Sequence, residues 1–255
     1  MHLSKSVYYY CSCKDDSEVI AKLSGLAEKH PRRGCDKFYD MIRLEGLIWN
    51  YKRVRRVYCL MGLNIRPKAR KRLPARPKEP LFVPDGINKS WSMDFMSDTL
   101  YNGRKIRVLN IMDDYSREAL AIEAGSSIPS IGVVNILKDL VDWRGKPEQI
   151  RVDNGPEFTS GTFTDWCKEQ NINLRYIQPG KPVQNAFIER FNRTFREEVL
   201  DAYIFEDIRQ VKNLSMEWME DYNKARPHES LNGCSPEKYK SRLEFVDSGK
   251  LGKRI

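Results

Sequence analysis

The sequence predicts an α/β domain preceded by a small helical domain. Apolar residues recur at helical spacing in the first 65 residues, whereas from residue 90 onward short runs of strand length alternate with helical patterns. Five prolines interleaved with basic residues separate these regions and favour an extended, stiff linker. We therefore expect a helical domain at 1–65, a basic proline-rich linker at 66–88, an α/β core at 89–205, and a C-terminal helix and tail at 206–255.

The helical domain contains three short helical patterns, and the third has a basic outer face. Gly46 stops the second pattern, Asn50 can cap the third, and Gly62 closes it. Three such helices are typical of helix-turn-helix modules, whose last helix lies against DNA; a three-helix bundle with a charged surface is the alternative. The expected inner residues are Val54, Val57, Leu60 and Met61, and the DNA-contact candidates are Lys52, Arg53, Arg55 and Arg56.

The net charge of +9 is concentrated at the start of the chain. Residues 1–80 hold 19 Lys and Arg against 8 Asp and Glu, whereas residues 81–255 hold 25 against 27. A polyanion, most naturally nucleic acid, is the expected partner of the basic third, with a surface kept basic for solubility as the alternative. In the linker we expect Arg70, Lys71 and Arg72 to follow a phosphate backbone.

Other bulk features exclude several classes of protein. No run of 18 apolar residues exists, and the first 20 residues lack the pattern of a signal peptide. The six cysteines are scattered and few histidines accompany them, which predicts reduced thiols rather than a zinc site. We therefore expect a cytoplasmic protein.

The α/β domain shows the element order β-β-β-α-β-α-β-α. The first three strands, separated by short turns, are expected to form an antiparallel meander. The final helix is amphipathic, because Phe187, Phe191 and Phe195 recur every four residues. We expect strands at 91–96, 104–112, 117–124, 148–152 and 172–177, and helices opened by Pro129, centred on Phe163, and begun at Asn185.

Three carboxylates of this domain are candidates for a shared site. Asp94 lies within the first strand, and Asp153 ends the fourth strand beside the turn-forming Asn154-Gly155-Pro156. An Asx turn is the simpler interpretation of Asp153 alone. Glu189 lies on the last helix, opposite the phenylalanine stripe. Acids beside arginines suggest metal ions that handle phosphates. On spacing alone, Asp98, Asp113, Asp114 and Glu157 are rival ligands, each expected to be a turn or surface acid.

Several sequence motifs occur in order along the chain. They are Trp91-Ser92-Met93-Asp94-Phe95, Val152-Asp153-Asn154-Gly155-Pro156-Glu157-Phe158, Pro179-Gly180-Lys181-Pro182 with Gln184-Asn185-Ala186-Phe187-Ile188-Glu189-Arg190-Phe191-Asn192, and a tail with Tyr222-Asn223, Arg226-Pro227-His228, Ser230-Leu231 and Ser235-Pro236. Together they resemble the catalytic core of DDE transposases. Thirty-five residues separate Asp153 from Glu189, the interval of the DD(35)E group. The chain is similar to the second-reading-frame product of the bacterial insertion-sequence-three family, kin of retroviral integrases.

The resemblance implies an RNase H-like core in which Asp94, Asp153 and Glu189 bind two Mg²⁺ ions, with Mn²⁺ as a substitute. It implies hydrolysis at the element's 3′ end and attack by the freed 3′-OH on another phosphodiester. The expected partners are double-stranded DNA (terminal repeats and target), further copies of the chain on that DNA, and the upstream reading-frame product as a fusion or partner. A catalytically silent DNA-binding protein and a nuclease on the same fold are the alternatives. Further DNA-contact candidates are Asn154, Lys181, Asn185, Arg193 and Arg196.

Overall fold

The structure is a computed structural model that describes residues 15–64, 84–177 and 185–251. The described residues belong to two compact units, one formed by 15–64 and the other by 84–251. Most of the predicted linker at 66–88 lies outside the described residues. The DNA-contact candidates Arg70, Lys71, Arg72 and Lys181 lie outside them as well.

The first unit consists of three helices around one apolar core. They are α1 (Ser17–Lys29), α2 (Cys35–Leu44) and α3 (Tyr51–Leu60), as the sequence predicts. The side chain of Asn50 accepts a hydrogen bond from the Lys52 N–H at 2.8 Å and so caps α3. The buried core residues are Val19, Leu23, Leu26, Phe38, Met41, Ile42, Val54, Val57 and Tyr58.

One expectation about α3 is wrong. Leu60 was expected inside, but its side chain is 76% exposed. Tyr58 takes the inner position instead and donates its hydroxyl to the Leu63 carbonyl at 2.5 Å. At 100° per residue, Leu60 is rotated about 110° from the mean direction of the buried Val54, Val57 and Tyr58.

The second unit is built on a five-stranded mixed sheet with strand order β3-β2-β1-β4-β5. The first three strands form the predicted antiparallel meander, whereas β4 and β5 run parallel to β1. Each strand lies within about three residues of its predicted bounds. The strands are β1 (Ser90–Thr99), β2 (Lys105–Asp113), β3 (Ala119–Gly125), β4 (Gln149–Val152) and β5 (Asn173–Tyr176).

Helices cover both faces of this sheet and create two apolar cores. Trp91 and Met93 of β1 belong to the core beneath the first helical layer, whereas Met96 belongs to the core on the other face. The first layer contains α4 (Ser130–Arg144), α5 (Pro156–Thr159) and α6 (Gly161–Glu169). The second contains α7 (Ala186–Phe195), a π-helical segment (Arg196–Leu200) and α8 (Ile208–Lys224), and the chain continues into α9 (Pro236–Leu251).

The C-terminal tail motif has structural contacts. The Asn223 side chain accepts from the Ala119 N–H at 2.8 Å and donates to the Ala119 carbonyl at 2.9 Å, which joins α8 to β3. Arg226 donates to the Glu198 carboxylate at 2.6 and 2.7 Å. The His228 ring packs edge-on against Tyr222. The tail therefore fastens the second helical layer to the sheet.

No helix within the described ranges is long and apolar enough to cross a membrane.

Candidate active site

Asp94 and Asp153 lie on neighbouring parallel strands. The register of β1 and β4 pairs Ser92 with Arg151. Two residues further along each strand are Asp94 and Asp153, the second of which directly follows the last residue of β4. Neighbouring strands are about 4.8 Å apart. The sheet therefore brings the two carboxylates to the same region, as the sequence predicts.

The turn after β4 holds the Asp153 carboxylate. Asp153 Oδ1 accepts a hydrogen bond from the Gly155 N–H at 2.9 Å, which forms the predicted Asx turn. The Asn154 side chain donates to the Ile177 carbonyl at 3.1 Å and ties the turn to the end of β5. A Cβ on Gly155 would lie 2.9 Å from Asp153 Oδ1, although its φ of −60° suits any residue. Glycine is therefore needed here for space and not for backbone freedom.

Glu189 is carried by α7, which packs on the same sheet face as Asp94. Phe191 and Phe195 are buried as expected, and Ile188, which the four-residue stripe omitted, is fully buried too. Glu189 lies on the exposed side of this helix. The helix thus anchors itself by its apolar face and leaves the Glu189 carboxylate accessible.

A chain of buried amides connects α7 to Asp94, and sequence reasoning missed it. Asn192 donates from Nδ2 to Asp94 Oδ2 at 2.7 Å, and its own Oδ1 accepts from Asn110 Nδ2 at 2.7 Å. Asn110 sits opposite Asp94 in the β1–β2 ladder and is fully buried. Asn192 lies one turn after Glu189. The sequence feature that could have indicated its role is a polar residue on the side of the helix that buries Phe191 and Phe195.

The three carboxylates influence one another electrostatically. Burial, together with the negative charges of Asp153 and Glu189, raises the pKa of Asp94 to about 6, although hydrogen bonds from the Phe95 N–H and Asn192 oppose the rise. Within residues 15–64, 84–177 and 185–251, no three acidic, histidine or cysteine side chains already sit at metal-ligating distances from one another. The three carboxylates nevertheless supply hard oxygen donors, which suit Mg²⁺ or Mn²⁺.

Each of the four rival acids has another partner. Asp98 pairs with Arg196, and the Glu157 carboxylate bonds Arg107. The Asp113 carboxylate accepts from two backbone N–H groups of its own turn. Asp114 lies in the turn after β2, as expected, but it is fully buried rather than at the surface and accepts from Ser90 Oγ and Ser92 Oγ. Burial raises the pKa of Asp114, and Arg151 at 3.4 Å opposes that rise.

Some of the proposed DNA contacts are engaged within the protein. In the first unit Asp16 bonds Arg53 at 2.9 Å and Arg56 at 2.6 Å, whereas Lys52 and Arg55 lie on the exposed face of α3. The remaining candidates belong to the second unit. Arg196 donates to the Ser97 carbonyl, Arg193 is exposed, and Asn185 occupies the N-cap of α7 and is buried. These DNA contacts stay predictions.

Two family models match this chain, both described as an integrase core domain, one over residues 84–182 and the other over 170–236. The chain is 36% identical over 242 residues to an uncharacterized 31.7 kDa protein of insertion element IS407 from Burkholderia multivorans, covering 94% of this chain and 87% of that one. This chain belongs to the insertion-sequence-three type of DDE transposases. It is also 23% identical over 261 residues to the putative transposase InsK of element IS150 from Escherichia coli, covering 94% of this chain and 90% of that relative.

The fold of this transposase has solved counterparts. The simian T-cell lymphotropic virus intasome in complex with PP2A regulatory subunit B56 gamma matches with a TM-score of 0.53 and 17% identity, over 86% of this chain and 73% of that one. The second unit is therefore an RNase H-like integrase core, as the sequence predicts. Membership of this family makes the transposase a polynucleotidyl transferase that binds DNA and oligomerises on it.

Proposed function

We propose that this transposase cleaves DNA at the ends of its own insertion element and joins the freed 3′ ends to a target, with Asp94, Asp153 and Glu189 as metal-binding catalytic residues. The observation that carries this assignment is geometric. The parallel register of β1 and β4 brings Asp94 and Asp153 together, and Asn192, one turn after Glu189, bonds Asp94 directly. All three acids lie within the segments, residues 84–182 and 170–236, that match the integrase core models.

The carboxylates would hold two divalent ions, Mg²⁺ or Mn²⁺. When bound, such ions supply Lewis-acid stabilisation of the attacking and leaving oxygens. In the first reaction the oxygen of water attacks phosphorus at the element's end and the 3′ oxygen leaves as a hydroxyl. In the second, that 3′-OH attacks a target phosphodiester, and the oxygen of the broken target bond takes up the proton. One phosphodiester forms for each one broken, so joining needs no external energy source.

The protein's own residues have separate tasks in this scheme. Asp153 is held by its Asx turn, so its second oxygen keeps a defined direction. Asn192 holds the Asp94 carboxylate from the side of α7 and is itself held by a hydrogen bond from Asn110 of β2. Preorganisation of this kind places acids before the substrate arrives. The arginines near Glu189 would contact phosphates of the DNA backbone.

The DNA partner is proposed in the same terms. Residues 1–80 carry the excess of basic residues, and α3 presents Lys52 and Arg55 on its exposed face. We infer that this helix binds the terminal repeats, while the cleaved element end and the target DNA meet at the acidic site. The upstream reading-frame product, as a fusion or a partner, remains part of the proposed assembly, and the bacterial nucleoid is the expected location.

The test is a strand-transfer assay with the element's end DNA and Mg²⁺ or Mn²⁺. Asp94→Asn, Asp153→Asn and Glu189→Gln should each lose cleavage and joining by at least about 10³-fold while binding of end DNA survives. Asp142→Asn, on the exposed side of α4, is the matched control and should keep full activity.

Any triad variant that still joins strands with Mg²⁺ would overturn the catalytic assignment. Cleavage without joined products in the unaltered protein would favour a nuclease instead. Binding without either reaction would favour the catalytically silent DNA-binding protein.

A further inference from the structure

The turn that carries Asp153 is fastened to the strand that carries Asp94 by an aromatic stack. Phe158, in α5 just after the turn, is fully buried and its ring stacks on Phe95 with centroids 5.3 Å apart. Phe95 is the residue after Asp94 on β1, and the alternation of the strand sends the two side chains to opposite faces. On β1, Asp94 thus presents its carboxylate on one face of the sheet, while Phe95 on the other face contacts the segment that follows the Asp153 turn.

An ion pair reinforces this stack from β2. The Arg107 guanidinium lies 4.1 Å from the centre of the Phe95 ring and bonds the Glu157 carboxylate. Glu157 immediately precedes Phe158, so the ion pair and the stack act on the same short helix. The pairing with Arg107 lowers the pKa of Glu157, which keeps that carboxylate charged at neutral pH.

The turn has few other attachments within the described residues. Asp153 itself is exposed, and Asn154 reaches only the carbonyl of Ile177 at the end of β5. Tyr176 donates to the Phe158 carbonyl at 2.8 Å. Both of these bonds tie the turn to β5, on the far side from β1. Beyond the backbone ladder of β1 and β4, the side-chain contacts within the described residues that link the turn to the strand of Asp94 are those of Arg107, Phe95 and Phe158.

We propose that Arg107 and Glu157 are positioning residues that set the separation of the Asp94 and Asp153 carboxylates. This inference rests on the proposed role of those two acids as metal ligands. Neither Arg107 nor Glu157 bonds Asp94 or Asp153 directly. They act through Phe95, which follows Asp94, and through Phe158, which lies in the short helix after the Asp153 turn. Loss of the pair lets the turn move while the apolar core beneath it stays packed.

A structural role and a positioning role predict different results. The Arg107 and Glu157 side chains are 31% and 15% exposed, and partly exposed ion pairs contribute little to stability. A misplacement of a catalytic group by about 1 Å, in contrast, reduces rates by about 100-fold. We therefore expect metal affinity and strand-transfer rate to fall while the urea midpoint of unfolding stays nearly unchanged.

The experiment uses the full chain and the variants Glu157→Gln, Arg107→Gln and the reversed pair Arg107→Glu with Glu157→Arg. Mn²⁺ affinity is measured by calorimetry without DNA, and the Mg²⁺ concentration for half-maximal strand transfer is measured with end DNA. Each single variant should weaken Mn²⁺ binding and raise the Mg²⁺ requirement by about 10-fold, as misplacement of one ligand predicts. The reversed pair should recover part of both losses, since it restores an attraction between the same positions.

A matched control lies at the opposite end of the same two strands. Lys89 and Glu148 form an ion pair just before β1 and β4, away from the acids. Glu148→Gln should leave metal affinity and strand transfer unchanged. Equal losses in Glu148→Gln, unchanged metal affinity in Glu157→Gln, or no recovery in the reversed pair would each refute the positioning role. If Asp153→Asn keeps Mn²⁺ affinity and activity, the proposed function itself fails, whatever Glu157→Gln does.

Discussion

The electrostatic state of Asp94 leads to a prediction about stability in the absence of metal. Burial and the charges of Asp153 and Glu189 raise the pKa of Asp94 to about 6 from an ordinary value of 3.8. The folded protein therefore binds a proton at this site more tightly than the unfolded chain does. That contribution to stability is complete below about pH 4 and is lost as the pH rises through about 6.

The size of the effect follows from that difference. Each pKa unit corresponds to about 1.4 kcal/mol, so the rise from 3.8 to about 6 gives about 3 kcal/mol. Asp94 is half-buried, and solvent screening reduces this to about 2 kcal/mol. Asp94→Asn removes the charge and keeps the shape. We expect it to stabilise the metal-free protein by about 2 kcal/mol at pH 8, relative to its effect at pH 4.

The amide chain beside Asp94 can accept this substitution. Asn110 Nδ2 donates to Asn192 Oδ1, and Asn192 Nδ2 donates to the Asp94 carboxylate. Asn110 Oδ1 is buried and has no hydrogen-bond partner among the described residues. If both amides turn over, an asparagine at position 94 donates to Asn192, and Asn192 donates to Asn110 Oδ1. Asn110 Nδ2 then takes the place of its Oδ1, the atom that already lacks a partner, so the number of unpaired buried amide atoms does not rise.

The assay is urea unfolding of both proteins in a chelator at pH 4 and at pH 8, followed by the same curves at pH 8 with Mg²⁺. The variant should be the more stable protein in chelator at pH 8, and only the unaltered protein should gain stability from Mg²⁺. A stability difference that does not change between pH 4 and pH 8 would refute the electrostatic reasoning. A Mg²⁺ gain in the variant would contradict the role of Asp94 as a ligand.

Two further predictions concern the Asp153 turn and the basic helix. Gly155→Ala should lower strand transfer by about 100-fold with little loss of stability, because the new Cβ displaces the Asp153 carboxylate. The control is Gly161→Ala, whose Cβ would meet its nearest atom at 3.8 Å and which should be neutral in both assays. Equal activity in the two variants would contradict the role of Gly155. Replacing Lys52 and Arg55 together by alanine should reduce the slope of log affinity against log salt by about 2, measured by fluorescence anisotropy with end DNA. An unchanged slope would show that this face of α3 makes no phosphate contacts.

The fold could be predicted from the sequence because the spacing of apolar residues and the positions of turn-forming residues agree along most of the chain. The turn at Asn154-Gly155-Pro156 fixed the end of β4, and the predicted meander has the observed pairing. Errors arose where a side chain's partner lies far away in sequence. The sequence predicts a turn or surface acid at Asp114, but this residue is buried. Its carboxylate accepts hydrogen bonds from Ser90 and Ser92 and pairs with Arg151.

The site was predictable only in part for the same reason. The spacing of the three acids and the family motifs indicated which carboxylates matter, but the groups that hold them are not visible in a linear pattern. Asn192 bonds Asp94 across 98 positions of sequence, and Arg107 reaches Glu157 across 50. An asparagine on a helix and an arginine on a strand carry no local signal of such partners. Only the packed sheet shows them.

The bond between Asn223 and Ala119 also has a consequence for solubility and assembly. Ala119 begins β3, an outermost strand of the sheet, where unpaired backbone groups invite strand addition and aggregation. The Asn223 amide occupies both the N–H and the carbonyl of that residue, as a neighbouring strand would. The opposite outermost strand, β5, is only four residues long and exposes Arg175. These two edges disfavour strand pairing between the sheets of neighbouring copies, so we expect the copies that assemble on DNA to contact one another through other surfaces.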